Sequence, residues 1–472
     1  MAASARLRVD GQPVAVGPVR LRTPGMQGTA AALPPTHEVG LEAVARSGVA
    51  LDAALEREAL TAQHAVLVEP TGPVPDDAAA LELEVLEPGA GLGQLLLHVD
   101  ARGFASWHLA AEPHAGPAPA AGIRRYSVPA PLAHPGAAKL LAVLAFPLAD
   151  PALGRVGERG YAAAWERAHR PHRLRALARE PGAAAPLAAA AWRPLQSGRA
   201  LLFLHDAFGR TPASFGALPP PLLAELQRRY QGRVLAFDHP TLTVDPLANA
   251  RWLVEQLPDG TELDLDLVCH GRGGLVGRLL VERQDRLGLG LRRVDVHQAA
   301  FLATPNAGTP LAGPGRLGAL LDAWTTLLAF PPVPGAADAL QAVAVAAKQL
   351  AAGAPVELPG VAAMDPEGPF LSRLNAGPRL AHTGYHAVVS ADAGSRAAGL
   401  ARLARGLLDP LLGGLHDLAV PAGSVWQKNG SDWFPIEDRL LLGAGDGVAH
   451  AGYAASPAVH ERLLRWLDPD AA

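Results

Sequence analysis

From Gly198 onward the chain alternates short apolar runs with amphipathic ones, and that alternation constrains its fold more than any other feature. "RALLFLH", "RVLAFDHP", "LDLDLVCHG" and "RRVDVHQAAFLATP" are apolar runs of strand length. Between them lie "PPLLAELQRRY", "PLANARWLVEQL" and a stretch from Arg272 in which Leu275, Val276, Leu279 and Leu280 share one helical face. Strands of this kind separated by helices predict βαβ units, a parallel sheet and right-handed crossovers that place helices on both of its faces. The expected fold class is therefore α/β, a mostly parallel doubly wound sheet. An apolar helical insertion at about 308–380 includes "LGALLDAWTTLLAF" and "ALQAVAVAAKQLAAG" and forms a helical cap. The strand "GYHAVVSAD" follows, and the chain closes on a helix.

Residues 1–155 read differently, as a β-rich, sandwich-like domain of short strands and turns. "RLRVDGQPVAVGP" suggests a hairpin about Asp10-Gly11, and "ALELEVLEP" alternates at period two. "GQLLLHVDARGFASWHL" suggests two strands around a turn, "RRYSVP" and "KLLAVLAFPLA" add two more, and 37–60 contains a helix. Residues 156–197 form a connector: a helical, arginine-rich part to about 180, then the Ala/Pro-rich "EPGAAAPLAAAAWRPLQSG". The third unit runs from 198 to 472.

Composition removes several function classes. A net charge of −4 argues against nucleic acid as a partner. The single cysteine, Cys269, excludes an internal disulfide and a multi-cysteine metal site. No run of about 18 uncharged apolar residues occurs, so no transmembrane anchor is expected. Arg6, Arg8 and Asp10 stand where a signal peptide needs its apolar core, and the expected location is cytoplasmic. Only Lys139, Lys348 and Lys428 occur, against abundant Arg, Ala, Gly and Pro, as in GC-rich bacterial coding.

In such sheets chemistry sits at the carboxyl ends of the strands. At one of them stands Cys269-His270-Gly271-Arg272-Gly273-Gly274, small residues around a tight strand-to-helix turn. "CHGRGGLVGR" resembles the nucleophile elbow of bacterial lipases and esterases of the α/β-hydrolase superfamily, where a serine occupies the position of Gly271. "FLHDAFGRTPASFGAL" is similar to their oxyanion loop, and "ATPNAGTPLA" and "LPGVAAMDPEGPFLSRLN" resemble later segments, so the resemblance covers about 198–465. It implies Asp417, in "HDLAVPAGS", as the acid and His450, in "VAHAGY", as the base, with Asp446 and Asp392 as weaker candidates for the acid. It further implies that the Arg272 amide helps to bind an oxyanion, with Asp206 and Ala207 in the oxyanion loop.

Two positions depart from the pattern. Gly271 removes the attacking atom, and Asp206 stands where the family has glycine; a carboxylate turned inward there repels a developing oxyanion. Together they favour natural loss of the ancestral chemistry. The expectation is a crippled hydrolase that binds a lipid-like, acyl-type ligand or, through its N-terminal domain, a protein partner. The alternative is an active ester or acyl hydrolase, either an engineered serine-to-glycine variant or one in which His450 activates water directly.

Plainer readings cover the remaining residues. His205, Asp238, His239 and His270 also lie at strand ends, but their spacing matches no metal-ligand pattern, so no metal and no cofactor are expected. Cys269 reads as a small buried apolar residue, and Ser214 and Ser390 as structural. Gly271, Gly273 and Gly274 lack the Lys-Ser/Thr pair of a phosphate loop. The apolar segment 313–352 is expected to act as a lid over an acyl pocket rather than as a buried helical pair.

Overall fold

The computed structural model describes residues 4–34, 48–72, 80–101, 103–110, 122–129, 138–177, 195–329, 333–353, 357–376, 382–391, 408–428, 432–443 and 445–469. A seven-stranded sheet organises the C-terminal part. Its order is Arg173–Ala176, Val234–Asp238, Ala200–Leu204, Glu262–His270, Arg293–Leu302, Gly384–Ser390 and Ile436–Leu442. All neighbours pair in parallel except the first strand, which runs antiparallel to Val234–Asp238.

Both faces of this sheet are covered, as its continuous apolar strands require. Leu202 and Leu204 point into one apolar cluster and Leu201 and Phe203 into another. The first cluster takes Leu253 and Val254 of the helix Pro246–Glu255 and Leu275, Val276 and Leu279 of Gly273–Glu282. The second takes Leu222, Leu223 and Leu226 of Pro220–Arg229 and Val459 and Leu463 of Pro457–Trp466. The helix Gly273–Glu282 is buried along its whole length, and its Arg278 is held by Glu282 (2.7 Å) and Asn375 (2.8 Å).

The N-terminal part is antiparallel. A six-stranded sheet and a four-stranded sheet contribute to one apolar cluster, and the Tyr126 hydroxyl donates across to Gln94 Oε1 at 3.1 Å. The expected hairpin about Asp10-Gly11 does not form. Ser4–Arg6 pairs with Gly28–Ala32 in the larger sheet, while Val14–Val16 pairs with Val19–Arg22 in the smaller. The reason is local: Asp10 accepts the Gln12 N–H (3.0 Å) and pairs with Arg8 (2.9 Å), closing a turn that hands the chain from one sheet to the other.

The arginine-rich stretch after 156 is helical only over Tyr161–His169; Arg173–Ala176 is already the antiparallel edge strand. Of the segment 180–198, residues 180–194 lie outside the described residues. Of the expected helix in 37–60, Val49–Arg57 is described.

The insertion contains the helices Leu317–Ala329 and Ala336–Ala351, and they are a buried pair rather than a free-standing lid. The Trp107 N–H donates to Asp322 (2.7 Å), its indole to Thr325 (2.7 Å), and the Ala105 N–H to Thr326 (3.1 Å). Lys348 forms a buried ion pair with Glu58 (3.1 Å), whose carboxylate also accepts from Trp165 (2.9 Å) and Gln341 (2.8 Å). Apolar helices are thus pinned by polar bonds to the antiparallel layer on one side while Trp324 reaches the sheet's strand ends on the other. No helix among the described residues is long and apolar enough to cross a membrane.

Candidate functional site

The strand Glu262–His270 ends in a turn at Gly271 and continues as the helix Gly273–Glu282. Gly271 has φ +49, in the left-handed region, and its N–H donates to Leu302 O (2.9 Å). Gly273 lies under the neighbouring strand end, where a Cβ would come within 2.4 Å of Leu204 O and 2.6 Å of His205 O. This close approach delivers Asp206 to the turn.

Asp206 fills the space above Gly271. Its Oδ1 accepts the Arg272 N–H at 2.7 Å and its Oδ2 accepts from His450 Nε2 at 2.8 Å. A Cβ on Gly271 would lie 1.9 Å from Asp206 Oδ1 and 2.1 Å from its Cγ, so no other side chain fits beneath this carboxylate. On the far side, His450 Nδ1 donates to Asp417 Oδ2 at 2.7 Å, and the Tyr453 hydroxyl donates to the same oxygen at 2.8 Å. Asp417 Oδ1 takes the N–H groups of Ala419 (3.1 Å) and Val420 (2.8 Å). The result is a linear Asp206–His450–Asp417 chain, with Asp206 3 %, His450 1 % and Asp417 0 % exposed. Trp324 closes the chain from above, edge-on to His450 with ring centroids 5.5 Å apart.

Burial opposes charge on all three groups, and their mutual attraction overrides it. His450, desolvated but flanked by Asp417 and Asp206, is lifted to about 10. The His450 cation and the Arg272 and Val420 amides hold the two carboxyls below the usual range against the same burial. At neutral pH the imidazole is therefore a cation with both nitrogens protonated, a donor on each side and a base on neither.

Gly271, Arg272, Asp206, Asp417 and His450 are thus brought together. Ala207 is buried in the adjoining turn, where its carbonyl accepts the Gly209 N–H at 2.6 Å. Asp446 stands apart and accepts the Gly443 N–H (2.8 Å), while Asp392 lies outside the described residues. The Arg272 side chain turns away to Gly360 O (2.7 Å) and Val244 O (2.5 Å), and burial lowers it to about 10.

The other strand-end residues act as braces. His205 Nε2 accepts the His239 N–H (3.0 Å) with the two rings stacked at 4.1 Å, and Asp238 binds Thr211 and Arg175. Ser214 accepts the Asp206 N–H at 3.0 Å, and the Ser390 N–H donates to Tyr453 at 2.8 Å. Cys269 is buried against Gly277, and burial pushes its thiol up out of reach of ionisation.

Three contributors escaped the sequence reading. Tyr453 comes from the short 3-10 turn His450–Ala455, and only its spacing from His450 hinted at it. Glu166 binds the N–H groups of Thr241 (2.7 Å), Leu242 (2.8 Å) and Thr243 (2.7 Å), fixing the loop against which Arg272 packs. Arg170 donates to the carbonyl of Phe208 and holds the Asp206 turn. Nothing local in the sequence announces either of the last two.

Among solved structures the chain is similar to a lipase of Bacillus licheniformis in its mature form, with 14 % identity, 57 % of this chain and 91 % of that one covered, and a TM-score of 0.37. It is also similar to lipase 1 from Pelosinus fermentans, with 12 % identity, coverage of 57 % and 98 %, and a TM-score of 0.38. A third is phospholipase PlaB from Legionella pneumophila, with 13 % identity, coverage of 48 % and 45 %, and a TM-score of 0.30. No curated protein matches the chain in sequence. The family model described as "Domain of unknown function (DUF7379)" matches residues 169–468, from just before the antiparallel edge strand to just past the last helix, and the chain belongs to that family.

Proposed function

We propose that this is an α/β-hydrolase-fold protein of lipase/esterase type that no longer hydrolyses through an acyl-enzyme, and that it acts by binding a lipid-like ligand or a protein partner. The strand order, the turn at Gly271 and the succession of Gly271, Asp417 and His450 along the chain support the fold and the ancestral roles. In those roles a serine at 271 attacks, His450 takes its proton, Asp417 orients the imidazole and the Arg272 amide receives the oxyanion.

One observation carries the loss. The Asp206 carboxylate occupies the place of a side chain at 271, the place of the proton that His450 must accept and the oxyanion's bond to Arg272. A serine at 271 and an aspartate at 206 do not fit together, so the glycine is matched to the aspartate; this weighs against an isolated engineered change. Direct activation of water by His450 is disfavoured by the same bond, since Nε2 is already a donor to Asp206.

The test is fluorophosphonate labelling and short-chain ester hydrolysis on four chains. The natural chain, Gly271→Ser and Asp206→Gly are expected to be inert, and Asp206→Gly/Gly271→Ser to label. Ester turnover by the natural chain that disappears in His450→Ala would overturn the proposal.

A further inference from the structure

We propose that Asp206, His270 and His450 form a binding site for one transition-metal dication of the Zn²⁺, Co²⁺ or Ni²⁺ type. Each offers a ligand atom, and the three atoms lie within 4.8 Å of one another in a buried cluster. Two ligands on one Zn²⁺ at about 2.0–2.1 Å stand roughly 3.3 Å apart, so His450 Nε2 and Asp206 Oδ2, now at 2.8 Å, need separate by about half an ångström, while the His270 ligand atom, within 4.8 Å of both, has to close by at most about 1.5 Å.

His270 supplies the independent observation. Its Nε2 lies 2.9 Å from the carbonyl oxygen of His450, which can only accept, so Nε2 carries the hydrogen. Its Nδ1, on a residue 3 % exposed, has no hydrogen-bond partner among the described residues. A buried polar atom left unmet is costly, and ligation relieves it. The imidazole also stacks against the His450 ring at 5.0 Å, which keeps the two candidate ligands side by side.

The surroundings suit a metal as well. A ligating histidine commonly donates its other N–H to a carboxylate, and His450 Nδ1 already donates to Asp417, itself fixed by Tyr453 and two amides. Without metal, two buried carboxylates face one imidazolium. On binding, the Nε2 proton of His450 leaves to solvent, nitrogen and carboxylate oxygen bond to the dication, and the charges of Asp206, Asp417 and the ion sum to zero. Two imidazoles and one carboxylate are N and O donors that select borderline first-row metals over Ca²⁺ or Mg²⁺. The inference rests on this cluster alone and stands whether or not the serine chemistry can be rebuilt.

A second group, Asp264, Asp295 and His297, lies exposed at the opposite end of the strands and would bind added metal weakly. The experiment therefore uses the untagged full chain carrying Asp264→Asn/His297→Ala, stripped with a chelator and dialysed against Co²⁺. Expected are about one Co²⁺ per chain, a visible absorption of a low-coordinate N/O-ligated ion, release of about one proton per ion near neutral pH, and a raised thermal midpoint. Asp206→Asn and His270→Gln, the latter keeping a donor for the His450 carbonyl, should each weaken binding at least about tenfold. Failure of the chain to bind Co²⁺, or binding unchanged in both variants, overturns the site. Should either variant not fold, the presence or absence of the Co²⁺-dependent midpoint shift in the background chain decides.

Discussion

Gly271→Ser should destabilise the protein far beyond what a hydroxymethyl group costs at an ordinary turn, and Asp206→Ala should absorb most of that cost. The new Cβ would lie 1.9 Å from Asp206 Oδ1 and 2.5 Å from Oδ2, so the carboxylate must leave its seat. Leaving breaks the bonds from Arg272 N (2.7 Å) and His450 Nε2 (2.8 Å). Each is charge-assisted and worth about 1.5–3 kcal/mol. The left-handed backbone at φ +49 adds about 1 kcal/mol for a residue with a Cβ. The whole comes to about 4–7 kcal/mol. Asp206→Ala alone strands one end of a buried ion pair, at about 3–5 kcal/mol. In the double variant those bonds are already gone, and the serine adds little beyond its backbone strain. Urea unfolding of the four chains at pH 7, followed by circular dichroism, should give a coupling of about 3 kcal/mol or more between the two sites. Additivity to within about 0.5 kcal/mol would refute the reasoning, because it would mean that Asp206 does not occupy the space over Gly271.

In the metal-free chain, His450 binds its proton more tightly folded than unfolded. Its contribution is therefore complete below about pH 6.5 and lost as pH rises towards about 10. Unfolding free energy measured against pH should fall over that window by up to about 1.4 kcal/mol per unit, and this component should vanish in His450→Gln. Asp322, pushed up to about 8 by burial with only the Trp107 N–H in compensation, has the opposite ionisation but the same trend. Its unfolded form ionises first, so it destabilises increasingly from about pH 4 to about pH 8. Asp322→Asn should stabilise the protein increasingly from about pH 4 to about pH 8, by up to about 1.4 kcal/mol per unit, while leaving it unimproved at pH 4, by denaturant titration at each pH. Lys348→Met leaves the Glu58 carboxylate buried without its cation and should cost about 3–5 kcal/mol, most of it recovered in Glu58→Gln/Lys348→Met. A loss that persists undiminished in the double variant would contradict a buried pair.

The C-terminal sheet was legible because its strands are buried on two faces, and continuous runs such as "ALLFL" and "VLAFD" are what double burial requires. Its antiparallel edge strand was not. "RLRA" is short and half arginine, and it pairs on one side only, so its apolar content is too small to signal a strand. In the N-terminal part an Asp-Gly pair was read as a hairpin, but register in a sandwich is settled by which sheet each strand can bury itself in. The same limit governs the site. Asp417 and His450 could be read from their local motifs and their order along the chain. The resemblance placed residues 206, 270 and 450 around one site, but that one side-chain atom from each lies within 4.8 Å of the others could not be read, because three separate loops supply them and sequence spacing carries no distance.

Asp206 and Gly271 counted as two departures in the sequence, yet in three dimensions they are one exchange of volume. The room that a side chain at 271 would need is the room the carboxylate takes, and the Arg272 amide and His450 Nε2 hold it there. The arrangement also sets the histidine's part. Between a hydroxyl and an aspartate an imidazole can move a proton; between two carboxylates it keeps one. Each position depends on the other: serine at 271 collides with aspartate at 206, and glycine at both leaves the Arg272 amide and His450 Nε2 without the acceptor that Asp206 supplies, while His450 Nδ1 keeps Asp417. The two positions are therefore energetically coupled. Changing either one alone costs several kcal/mol, roughly the energy of the bonds that Asp206 makes. His450, Asp417 and Tyr453 are thus accounted for by structure alone: the imidazole neutralises and anchors the Asp206 carboxylate, and Asp417, fixed by Tyr453, holds the imidazole from its other side.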